Sequence, residues 1–402
     1  MPETIKKYNI QNIFYFIFFV GLYFSGRYTV NTLALFVLAM LVSFFIDGIR
    51  PIKEFPKILL LPIGFYLLHI VSSMLSDNAM EAHFDLEVKF SFLLLPIVFG
   101  LQKVRGKDYL PNILRIFTHA TTLSMIVLLL INIGRYFHEG HFLFYNDYSD
   151  RLHPSYLSMY LIFNLIVIVY LFVHKKEKPI YLILSAFISL LTLFIAESKA
   201  GQLSALIVII FLAFKLIPAK FKKVAVLLSL VLVFVFGYIA KDTKRFSFFV
   251  KNLEHYSQIK AHPENIKEST ALRILAWSAS VDVIKQHPVF GVGSGDIKDE
   301  LSKVYAERNY TKPLEMHMNS HNQYLETTVG QGFVGLAFLF VMFILPLFYV
   351  KEDMLLVQGF ILLVLLSILV ESMFNTQAGV IFITFFYSLL FSNLSSQKDL
   401  LK

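Results

Sequence analysis

Apolar runs long enough to cross a bilayer recur along nearly the whole chain, and no other feature restricts its fold as much. About twenty apolar residues in a helix span the hydrocarbon layer. About twelve candidate spans follow: 10–25, 28–46, 57–75, 87–101, 112–133, 154–173, 179–196, 200–217, 223–240, 325–350, 354–371 and 376–394. Charged residues make up 16% of the chain, against about 25% in an ordinary soluble domain. The expectation is an all-α polytopic membrane protein. The fourth span is the weakest, because Glu87 and Lys89 intrude on a short apolar core. Without it the count is eleven, and the two ends fall on opposite faces.

Basic residues set the orientation. With the N-terminus cytoplasmic, the inside segments hold nineteen, from Lys6 and Lys7 through Lys103, Arg105, Lys107 and Arg115 to Lys398 and Lys402. The short outside segments hold five: Arg27, Lys89, Arg135, Arg151 and Lys199. The net charge of +8 is therefore read as topology and not as a nucleic-acid footprint. Both termini are expected inside. The first run, Ile10 to Phe24, lacks a small-residue cleavage pattern and reads as a retained signal anchor. The chain has no cysteine, so neither disulfides nor thiolate chemistry enter.

Residues 1–402 read as one membrane domain, with one large outer loop, 241–324, inserted between the ninth and tenth spans. Within it, Leu272 to Gln286 has helical periodicity, with Ile274, Trp277, Val281 and Ile284 on one face. His287-Pro288 ends that helix, and Gly291-Val292-Gly293-Ser294-Gly295 reads as a flexible turn. The aromatic stretch Phe246 to Tyr256 reads as a surface element lying on the membrane.

Four polar groups fall on the outer face. Asn146 to Ser155 carries Arg151 and His153. The hinge Glu197-Ser198-Lys199-Ala200-Gly201 carries Lys199. The loop helix carries Arg273, and the segment His317 to Glu326 carries His321 and Asn322. Each has two readings. His321 either caps the following helix or serves as a neutral base at a membrane boundary. Lys199 either pairs with Glu197 or converges with Arg273 on a phosphate. Arg151 either pairs with Asp147 or Asp150 or meets substrate, and His153 either opens a helix before Pro154 or joins the same site. His317 lies four residues before His321, a ligand-like spacing, but Asn319 and Ser320 suggest a turn and no His-Glu-x-x-His pattern is present. No metal is expected. Nor is there a Gly-Lys-Ser/Thr phosphate loop, a Gly-x-Ser-x-Gly elbow, or a carboxylate relay deep in the spans. Glu371, at a span end, cannot make such a relay alone.

Three segments in order resemble the O-antigen ligase and polymerase superfamily of bacterial envelope proteins. They are the hinge Ser198-Lys199-Ala200-Gly201; the run from Arg273 through Trp277 to Pro288-Val289-Phe290-Gly291-Val292-Gly293; and His321-Asn322-Gln323-Tyr324-Leu325, followed by Gly330, Gly332 and Gly335. One departure is Lys199, where the family usually has arginine, so the charge is kept and the bidentate fork is lost. The resemblance covers roughly residues 150–350. It implies a GT-C-like glycosyltransferase in the bacterial inner membrane, its site facing the periplasm, with no cofactor and no nucleotide sugar. The implied donor is a glycan on undecaprenyl pyrophosphate. The acceptor is lipid A-core in the ligase branch and another lipid-linked repeat in the polymerase branch. In that scheme His321 takes the acceptor's hydroxyl proton, with Arg273, Lys199, Asn322, Arg151 and His153 around the substrate. The rival reading of a different class is a lipid-oligosaccharide flippase or other transporter.

Overall fold

A computed structural model describes residues 3–24, 26–103, 106–140, 142–144, 148, 152–222, 269–350 and 353–393. The expected ninth span, the aromatic stretch 246–256 and Arg151 lie outside the described residues. Among the described residues every regular element is helical. In chain order they are α1 (Glu3–Gly21), α2 (Gly26–Asp47), α3 (Leu60–Met74), α4 (Ala79–Lys89), α5 (Ser91–Leu101), α6 (Tyr109–Glu139), α7 (Pro154–Val173), α8 (Pro179–Ile195) and α9 (Lys199–Leu216). After the insertion helices α10 (Ser269–Gln286), α11 (Ile297–Glu307) and α12 (Thr311–Glu315) come α13 (Gln323–Ile344), α14 (Pro346–Tyr349), α15 (Met354–Val370) and α16 (Gln377–Asn393).

Six of the described helices are long and apolar enough to cross a membrane, and four more apolar helices are shorter. The chain is thus a multi-pass membrane protein. The stretch expected as a fourth span is divided: α4 ends at Lys89, and α5 follows after Phe90. The 11 residues of α5 rise only about 16 Å, well short of a hydrocarbon layer of about 30 Å. Lys89 stands at the division. It sits buried among protein groups instead of facing lipid, which is the only way a charge is tolerated there.

Lipid is as apolar as leucine, so the helices must hold together by close packing and polar contacts. Here phenylalanine supplies the packing. Phe385 and Phe386 of α16 meet Phe18 and Phe19 of α1 at ring-centroid distances of 4.7–5.8 Å, and Phe117 of α6 and Phe163 of α7 close on Phe386 at 4.9 and 4.4 Å. Edge-on and offset pairs such as these add to burial. Both α7 and α16 are enclosed by the other helices.

The insertion has a small core of its own, built by Leu272, Leu275, Leu301, Val304 and Tyr305 with Val329 of α13. The buried face of α10 overlaps only in part the one that periodicity selects: Ile274 is buried and Ile284 packs against the core, but the burial centres elsewhere. Leu275, Ala276, Ala279 and Val283 are buried, whereas Val281 is 40% exposed. Small residues win because α10 lies close against α13 and α11.

The glycine-rich segment expected to be a flexible turn is a fixed joint. Gly332 breaks α13 with φ 64° and ψ −164°, a conformation open only to glycine. That break lets residues 288–293 run alongside. Val292 N donates to Val329 O (2.9 Å), Gly293 N to Gly330 O (3.0 Å) and Phe333 N to Pro288 O (2.8 Å). A Cβ on Gly332 would stand 2.1 Å from Val289 O, and one on Gly291, itself at φ +71°, 2.4 Å from Gln331 N. These two glycines therefore serve contact and not flexibility. The joint fixes the insertion over the end of the bundle where α13 begins.

Candidate active site

Short connections at 174–178 and 196–198 make α7, α8 and α9 alternate in direction, and the Lys176–Asp108 ion pair sets the start of α6 beside the end of α7, so the ends of α6 and α8 and the starts of α7 and α9 lie together. The start of α13, the end of α15 and the start of α16 join them through the segment 371–376. There Asn322 N donates to Ser372 Oγ (3.2 Å), Gln323 Oε1 accepts from Phe374 N (2.8 Å) and Glu326 Oε1 accepts from Asn375 Nδ2 (2.7 Å).

His321 occupies this junction with a left-handed backbone, φ 43°, a strained state for a non-glycine residue that surrounding contacts must enforce. Its N–H donates to Asn319 Oδ1 at 2.8 Å, and the preceding Ser320 N donates to Glu326 Oε2 at 2.9 Å. The helix cap is not His321. Asn322 caps α13, its Oδ1 accepting from Leu325 N at 3.1 Å, and this frees the imidazole from any role in the helix.

The imidazole Nδ1 lies 2.8 Å from Glu371 Oε1, and Arg273 Nη2 lies 3.1 Å from the other oxygen, Oε2. Burial pushes the Glu371 carboxyl up, but the hydrogen bond from His321 and the charges of His321, Arg273 and His153 outweigh it and hold the group below the usual range. A carboxylate only accepts hydrogen bonds. Nδ1 must therefore carry the proton, which leaves a lone pair on Nε2 of the neutral ring. His153 stands just before α7, its Nδ1 accepting from Ser155 N at 3.3 Å. Burial lowers its affinity for a proton; Glu371 partly restores it, while Arg273 and His321 oppose. His153 does both things the sequence allowed, opening a helix and joining the site.

His321, Glu371 and His153 share a cavity of about 380 Å³ with Asn319, Tyr156, Lys89 and Asp85, while Arg273 bonds Glu371 from outside its lining. Lys89 forms an ion pair with Asp85, which also accepts from His69 Nδ1 at 2.9 Å. Burial pushes the Asp85 carboxyl up, but Lys89 and His69 more than offset this and bring it down to about 2. The cavity therefore presents the Lys89–Asp85 ion pair at its wall.

Of the residues singled out from sequence, His321, His153 and Arg273 come together. Lys199 opens α9 at the same end of the bundle, half-buried behind the capping Ser198 Oγ, and does not line the cavity. Asn322 supports the site through its backbone and cap, and His317 is exposed. Two functional candidates were missed. Glu371 looked inert as a solitary span-end carboxylate, and its partners lie 50 and 98 residues away in sequence. Lys89 was visible as a charge interrupting an apolar run, which is the mark of an intramembrane residue needing a partner.

The described residues thus form an all-helical, multi-pass bundle that gathers histidine, glutamate and lysine into a cavity at one end, with Arg273 bonded to the glutamate. Residues 184–340 match the family model described as O-antigen ligase. The chain is also similar to a Haemophilus influenzae (strain ATCC 51907 / DSM 11121 / KW20 / Rd) protein described as "Uncharacterized protein", with 22% identity over 196 residues. That match covers 48% of this chain and 49% of the relative, so it spans about half the length of each.

Proposed function

We propose that this protein is a metal-independent, inverting glycosyltransferase. It moves a glycan from undecaprenyl pyrophosphate to an acceptor sugar hydroxyl at the periplasmic face of the inner membrane, and its acceptor is lipid A-core. The observation that carries the reading is the Arg273–Glu371–His321 network, which leaves Nε2 of His321 free toward a polar cavity. Nε2 accepts the proton as the acceptor oxygen attacks the anomeric carbon, and the bond from that carbon to the pyrophosphate oxygen breaks. Single displacement inverts the anomeric centre. Glu371 holds the ring in the correct tautomer and stabilises the imidazolium as it forms.

The leaving pyrophosphate needs positive charge, which Lys89 supplies as a point charge at the cavity wall. Arg273 spends one N–H on Glu371 and keeps its other donors for phosphate oxygens. Lys199 and Arg151 remain candidates for longer-range contacts with the lipid-linked donor. The match of residues 184–340 to the O-antigen ligase family model supports the substrate class. The test is a deletion strain examined for surface glycans. Long glycan retained on undecaprenyl pyrophosphate beside unmodified lipid A-core supports ligation. Single repeats attached to the core reassign the protein to the polymerase branch.

A further inference from the structure

The other end of the bundle carries a second cavity, of about 440 Å³, where α6 begins. Lys107, Arg115 and Lys176 line it with one carboxylate, Asp108, and Glu177 lies near enough to act on Arg115, so the cluster is net positive. The cluster is held in place. Lys176 Nζ lies 2.6 Å from Asp108 Oδ1, and Arg115 donates to Asn112 Oδ1 at 2.7 Å. Asn112 in turn donates to Asn12 Oδ1 of α1 at 3.0 Å. Glu177 also bonds His119 Nε2 at 2.7 Å, one turn beyond Arg115. The cavity is thus a cationic recess where α6 begins, and the His321 chemistry has no use for it.

The surface beside the cavity says which anion. Leu123, Ile126, Leu130 and Ile133 on α6 are all exposed. At about 100° per residue they fall within roughly 80° of Arg115 around the helix axis. Beyond His119, which lies between on the same face, an apolar stripe therefore runs along the helix into the bilayer. A free phosphate has no use for such a stripe, but an amphiphile does. We propose that this cavity binds the phosphate headgroup of an anionic phospholipid, whose acyl chains lie along α6.

The test is native mass spectrometry of the full chain released from nanodiscs containing equal phosphatidylglycerol and phosphatidylcholine. The expected result is selective retention of phosphatidylglycerol. The double variant Lys107→Gln, Arg115→Gln should weaken that retention on the order of fivefold per charge removed. Equal retention of both lipids would overturn the proposal, as would undiminished retention by the double variant. Displacement of the lipid by millimolar inorganic phosphate would show a phosphate site and not a lipid site. If the variant melts early in phosphatidylcholine alone, a salt titration of the unaltered protein decides the matter. Retention that falls with ionic strength supports the site, and salt-independent retention removes it.

Discussion

Nδ1 of His321 and Oε1 of Glu371 stand 2.8 Å apart, joining the first turn before one apolar helix to the last residue after another. The carboxylate fixes which ring nitrogen holds the proton, and its second oxygen is occupied by Arg273. Three side chains from three elements thus behave as one unit, and substitutions among them should be non-additive.

His321→Ala should lower transfer by at least the 10²–10⁴-fold that general-base catalysis supplies. Donor binding and melting temperature should stay near those of the parent, because Asn322, and not His321, caps the helix. The measurement is glycan transfer in proteoliposomes, and near-parental rates in this variant would dismiss the base assignment.

Glu371→Gln should reduce the rate strongly while leaving KM for the donor little changed. The loss should not be repaired by Glu371→Asp, whose shorter side chain cannot reach both partners. Measuring kcat and KM separately distinguishes this from a binding defect. A rise in KM alone would make Glu371 a mere support for substrate binding.

Lys89→Gln should raise KM for the lipid-linked donor by roughly 10-fold, the worth of one charge-assisted contact. Lys89→Arg should recover part of it. Unchanged donor kinetics in Lys89→Gln would confine Lys89 to its ion pair with Asp85.

Asp85 gives a stability prediction in acid. Its folded-state pKa is depressed to about 2, so the stabilisation is complete above the unfolded value of about 3.9 and is lost as pH falls through 2. The window is pH 4 to 2, and the magnitude is roughly 2 kcal/mol. Asp85→Asn should be less stable at pH 7, because Lys89 is left without its counter-charge, yet decline less between pH 4 and 2. Denaturation in detergent at stepped pH reads this directly; parallel curves for parent and variant would refute it.

Gly332→Ala should cost about 3 kcal/mol or more, since it forces a methyl group to 2.1 Å from Val289 O at a glycine-only backbone angle. Thermal melts of the purified variant test this. A second expectation concerns metals: activity should persist in excess EDTA, and loss restored by Mg²⁺ or Mn²⁺ would overturn the metal-free scheme.

The apolar runs alone determined that this chain is a helical, multi-pass membrane protein, because hydrocarbon offers the backbone no other partner. The order of local motifs pointed to His321 and Arg273, since each sits in a short polar segment between apolar ones. Only the tertiary structure could supply Glu371 and Lys89. A lone carboxylate at a helix end and a lone lysine beside a weak span carry no meaning until their counter-charges are placed. Those counter-charges come from distant helices for Glu371 and from a helix turn that periodicity could not separate for Lys89. The glycines show the same division: their sequence marked a place where the chain turns, and only the packing of residues 288–293 against 329–334 revealed a joint. Periodicity reports which face of one helix is apolar. Which groups meet across helices depends on the packing, and there the chemistry was decided.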